Sequence, residues 1–138
     1  MTDGTDQLSR INKQARDQLG GLTAMFLLGM GVNLIGLPSE TSGGANVTTS
    51  IILMLHALIG LSLIAGSIVT LVRARSSSFS KHAWVGLVAI LLTFICGVMT
   101  IGTENNWWSY AMSIGFIANF WIYGSLFVKT RKNSPLKV

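Results

Sequence analysis

TSIILMLHALIGLSLIAGSIVTLV, residues 49–72, carries no charged side chain and ends directly on Arg73-Ala74-Arg75. As an α-helix rising 1.5 Å per residue it reaches about 36 Å, enough to cross a hydrocarbon core of about 30 Å. The run reads as a membrane span with two arginines marking one of its ends.

Three further segments have the same character: residues 18–37, 82–102 and 106–128 contain no Asp, Glu, Lys or Arg. Half of the chain is hydrophobic, 11% is charged and the mean hydropathy is +0.57, which excludes an ordinary soluble domain. The predicted fold class is therefore an all-α integral membrane protein, with four transmembrane helices in an up-down-up-down bundle. Residues 1–17 form an amphipathic N-terminal segment, 18–128 the transmembrane domain and 129–138 a basic tail. Pro38 stops the first span, whose length exceeds the roughly 7–15 apolar residues of a signal peptide. Trp84 opens the third span, and Trp107, Trp108 and Tyr110 open the fourth, as aromatic anchors at opposite interfaces.

The placement of the ten Lys and Arg residues orients the chain. Arg10, Lys13 and Arg16 precede the first span, and Arg73, Arg75 and Lys81 separate the second from the third. Lys129, Arg131, Lys132 and Lys137 follow the fourth. The other two connections hold no base, only Glu40 and Glu104. Basic loops stay on the cytoplasmic side, so both termini are expected in the cytoplasm and the chain in the plasma membrane. Any self-association should be parallel, since an inverted pair needs evenly distributed bases.

The net charge of +5 sits at span ends rather than in an aromatic-interleaved stripe, which points to anionic lipid and away from nucleic acid. Cys96 is the only cysteine, which rules out an internal disulfide. With no acid or base inside a span and no phosphate loop or metal spacing, the composition does not indicate an enzyme. Glu40 and Glu104 form a candidate outer rim that would collect cations; solvated loop carboxylates are the plainer reading. Asn46-Val47-Thr48 matches a glycosylation sequon. In the N-terminal segment Leu8, Ile11, Ala15 and Leu19 recur at helical spacing, the pattern of a helix lying on the membrane surface or docking a partner.

His56 and His82 invite a bis-imidazole haem site. His56 is about 17 residues, roughly 25 Å, from the basic end of its span, whereas His82 begins the next span at that end. One iron cannot take both. A haem b site using His56 with Met30 or Met112, or His56 at a two-fold interface, is the remaining cofactor reading.

Helices in lipid pack through small residues and a few polar bonds. Such faces run through Gly29, Asn33 and Gly36 in the first span, and through His56, Gly60 and Ser67 in the second. The third offers Gly86, Ala89, Thr93, Cys96, Gly97 and Thr100, and the fourth Ala111, Gly115 and Asn119. Counting from the span ends places Asn33, His56, Cys96 and Ser113 at nearly one level, with Asn119 deeper. Polar side chains in hydrocarbon need a partner or water, so these five residues are the candidate ligand-binding or polar cluster. Their plainer role is helix glue.

The function expected from these features is a non-enzymatic accessory or ligand- and partner-binding subunit of a membrane assembly. An oligomeric channel or transporter with a pathway past His56 and Asn119 is the alternative. A haem- or quinone-binding redox protein using His56 comes third.

Overall fold

A computed structural model of the chain describes residues 3–38, 40, 42–103 and 107–133. They form four helices, α1 (Asp3–Ile35), α2 (Gly43–Ala74), α3 (Ser80–Gly102) and α4 (Trp107–Asn133), and no strand among the described residues. Each is long and apolar enough to cross a membrane. The 33 residues of α1 reach about 50 Å, well beyond one hydrocarbon core, and the surplus lies at the end where the bases gather.

The helices stand in a ring in which each packs on its neighbours in sequence and α4 returns to α1. All four pairs run antiparallel. On α1 and α2 Gln7 meets Arg73, and Gln18 meets Ser67; Gly29 meets His56. On α3 and α4 His82 meets Lys129, and Thr93 meets Asn119. The up-down-up-down four-helix bundle expected from the sequence is thus the architecture observed.

Buried positions recur at alternating steps of four and three. On α2 they are Gly60, Leu63, Ser67, Thr70 and Ala74, and on α4 Asn119, Tyr123, Leu126 and Thr130. That spacing averages 3.5 residues and keeps one seam turned inward along antiparallel helices crossing at a shallow angle. On α1 the seam is Ile11, Ala15, Gln18, Leu22 and Val32, all buried. Gly29 is in register with it, one heptad beyond Leu22 and three residues short of Val32. Asn33 falls one position off it and is exposed.

Packing is tightest toward the basic end. Ile11, Ala15, Leu63, Ala74, Phe79, Ala83, Ile90, Tyr123 and Leu126 belong to a single buried cluster. The residues before the first span therefore do not lie flat as a surface element: Leu8, Ile11 and Ala15 continue the α1 seam into this cluster, leaving Arg10, Lys13 and Arg16 exposed. Closer to the base-free end Phe94 and Met25 press on Gly60 and Phe26 stacks on Phe116 at 5.2 Å. Among the described residues beyond these, only Val32 and Thr49 are buried.

The connections are short. At the base-free end Gly36, at φ 100°, unwinds α1, and Gly43, at φ 61°, starts α2, both in the left-handed region that glycine adopts without strain. At the basic end the Ser77 amide and hydroxyl both donate to the Ala74 carbonyl, 2.9 and 2.8 Å, closing the turn into α3.

Candidate functional site

The five residues expected as a polar cluster do not converge. Asn33 and Ser113 are exposed on the outer surface, and the Ser113 hydroxyl donates to the Ser109 carbonyl of its own helix, 2.9 Å. Cys96 is half-buried with a free thiol. His56 is half-buried against α1, so close that a methyl on Gly29 would lie 3.3 Å from its Cε1; its Nδ1 is buried with no partner. Only Asn119 sits fully inside. Equal depth is not equal azimuth: Ser113 is one position from the seam residue Met112, which packs on Gly97.

At the outer rim Glu40 is tied into the turn after α1. Its carboxylate accepts the Leu37 amide at 3.0 Å and its own amide donates back to the Leu37 carbonyl at 2.9 Å. Glu104 lies outside the described residues. Asn46 of the sequon donates its amide to the Pro38 carbonyl, 2.6 Å. The histidine and methionines weighed as a haem pair stand at different places: His56 at the α1–α2 contact, Met112 at the α3–α4 contact, and Met30 on the exterior. His82 pairs instead with Lys129, whose ammonium, having only donors, donates to Nε2 at 2.8 Å.

What the structure does bring together lies nearer the basic end. Ser67 of α2 is wholly buried and receives the Tyr123 hydroxyl of α4 at 2.9 Å and the Gln18 amide of α1 at 3.4 Å. Gln18 also donates to the Leu63 carbonyl, 3.0 Å. Two glycines make the arrangement possible. Gln18 lies over Gly66, where any side chain would collide with its amide, and the Tyr123 hydroxyl lies over Gly86 of α3, 2.9 Å from where a Cβ would stand. All four helices thus contribute to one polar clamp.

Further amides extend it toward the basic end. Asn12 donates to the Phe127 carbonyl and to Thr130 Oγ1, both 2.8 Å. Gln7 donates to the Arg73 carbonyl, 2.8 Å, and Gln14 accepts from the Arg73 guanidinium, 3.1 Å. Gln7, Gln14 and Gln18 recur on one side of α1 beside the buried Ile11 and Ala15. That spacing of uncharged amides is the sequence signal for the clamp, which a search for small and ionisable residues passes over.

The chemistry available inside is limited. Ser67, Thr70, Thr93 and Thr130 each donate their hydroxyl hydrogen to a carbonyl of their own helix, at 2.6, 2.8, 2.7 and 2.8 Å. A proton relay needs hydroxyls free to turn, and these are committed. No group of His, Cys, Asp and Glu able to hold a metal occurs among the described residues. At the centre Asn119 donates to Thr93 Oγ1 at 3.0 Å and to the Gly115 carbonyl at 2.8 Å, beside a cavity of about 20 Å³. Outside, α4 presents an open apolar groove along Ile114, Ile117, Ala118, Trp121 and Ile122.

The chain matches no protein-family model, no curated protein and no solved structure.

Proposed function

We propose that this chain is a non-enzymatic multi-pass protein of the plasma membrane, its termini and all its bases cytoplasmic, that serves as a partner-binding accessory subunit of a membrane assembly. The observation that carries this reading is the filled interior toward the basic end. Where all four helices meet, side chains bond to one another across the bundle, and the central cavity of about 20 Å³ is too small for an organic ligand. Function is left to the outer surface.

The basic end supports the orientation, since Arg10, Lys13, Arg16, Arg73, Arg75, Lys81, Lys129, Arg131 and Lys132 all belong to the ends that α1–α4 gather there, where anionic lipid would hold them. The same asymmetry favours a parallel partner, either a second copy or a different subunit. An oligomeric channel draws support from the unpartnered polar atoms of His56 and Asn119, but the committed hydroxyls between Asn119 and the basic end weigh against a pathway inside one bundle.

The test is native mass spectrometry of the chain purified from its own membrane in mild detergent. A second membrane subunit at fixed stoichiometry is expected. A chain that carries only lipid, or a haem or quinone, contradicts the reading.

A further inference from the structure

Asn119 is the one candidate residue whose side chain is wholly enclosed, and its amide orientation is fixed by its neighbours. The Gly115 carbonyl can only accept, and Thr93 Oγ1 spends its hydrogen on the Ala89 carbonyl, so Nδ2 must face both. Oδ1 is left buried and without a hydrogen-bond partner. An unsatisfied carbonyl oxygen in an apolar interior costs on the order of 1–3 kcal/mol. Thr93 Oγ1, donating once and accepting once, keeps one lone pair unused.

Both residues line the cavity of about 20 Å³, whose remaining wall includes Met25, Gly60, Leu63 and Phe94. A site for one water needs roughly 10–15 Å³ and at least two polar partners. The cavity exceeds that volume, and Asn119 and Thr93 stand on adjacent helices, their side chains joined by the Nδ2 to Oγ1 bond of 3.0 Å. Gly60 keeps the space open: a methyl there would lie 3.2 Å from the Phe94 ring and 3.3 Å from the Met25 methyl.

We infer that this cavity is a binding site for a single structural water, which donates one hydrogen to Asn119 Oδ1 and the other to Thr93 Oγ1. The water completes the hydrogen bonding of Asn119 and joins α3 to α4 at mid-depth, in contact with Met25 of α1 and Gly60 of α2. It is too small a site for any organic ligand or hydrated ion, which distinguishes it from a transport site.

The test is a structure of the full chain, crystallised from a lipid mesophase at a resolution that shows ordered water, together with water-to-amide cross-relaxation at the Asn119 side-chain NH₂ in micelles. Density between Asn119 and Thr93 and a cross-peak to bulk water are expected in the parent chain. The density should be lost in Asn119→Leu, and both density and cross-peak in Thr93→Val, which preserves side-chain shape if the first variant does not fold. A parent chain without that density, an Asn119 Oδ1 bonded to protein instead, or a cross-peak that survives in Thr93→Val would overturn the assignment.

Discussion

The Tyr123 hydroxyl on α4 donates to Ser67 Oγ on α2 at 2.9 Å, a bond between the two helices that face each other across the ring and whose backbones do not touch. It fixes the diagonal of the bundle. Neither Tyr123→Phe nor Ser67→Ala removes bulk from the core, so a double-mutant cycle isolates the bond. Interhelical bonds in membranes are worth about 0.6 kcal/mol on average and up to about 1.7. This one, enclosed and shared with Gln18, should fall in the upper half of that range when reversible unfolding is measured in mixed micelles. A coupling near zero would show that the diagonal does not hold the bundle.

Two glycines on α4 make opposite claims. A methyl at Gly115 would strike Thr93 Oγ1, whereas Gly124 has open space around it. Thr93 is β-branched and cannot swing aside freely, so Gly115→Ala should destabilise by about 1–3 kcal/mol. Gly124→Ala should be neutral or gain up to about 1 kcal/mol of helix propensity. Thermal unfolding of the two variants side by side checks this, and equal midpoints would refute it.

For His56 the expectation is a quiet substitution. Its Nδ1 has no partner and its ring has one hydrogen bond, to the Met25 backbone of α1, so His56→Gln forfeits at most a single interhelical bond and should shift stability by less than about 1 kcal/mol. Gly29→Ala, which forces a methyl to 3.3 Å from the imidazole, should cost more than His56→Gln. The reverse order in an unfolding assay would mean that His56 holds something the packing does not reveal.

Ser42 and Ser78 are exposed in turns at opposite ends of the bundle. In a Cys96→Ala background, a membrane-impermeant maleimide added to intact cells should label Ser42→Cys and leave Ser78→Cys untouched until the cells are opened. Labelling of Ser78→Cys in intact cells would invert the orientation inferred from the bases.

The four long apolar helices and their alternation were legible because runs such as residues 49–72 are uncharged and long enough to cross a membrane, and because arginines mark their ends. The inward face was legible only in part. On α2 the small and polar residues His56, Gly60 and Ser67 lie along the seam, and on α4 Gly115 and Asn119 pack on Thr93. On α1 the true seam runs through Leu22 and Val32, and an apolar residue in a membrane helix carries no mark of which way it faces. Asn33 drew attention as a polar residue, though it stands near a helix end where interface or loop can solvate it. Gln18 stands at the boundary of a span, where a polar residue is ordinary, and Tyr123 has a ring that is unremarkable in lipid. What made them a clamp was register between helices, which no single helix encodes.

Purified chain reconstituted into liposomes, with proton, cation and anion flux recorded at acidic and at neutral pH, tests most directly whether the bundle works through its outer surface and conducts nothing through its interior. Flux indistinguishable from protein-free liposomes at both pH values is the predicted result. Sustained, protein-dependent flux of any of these ions, abolished by substitution of His56 or Asn119, would contradict it.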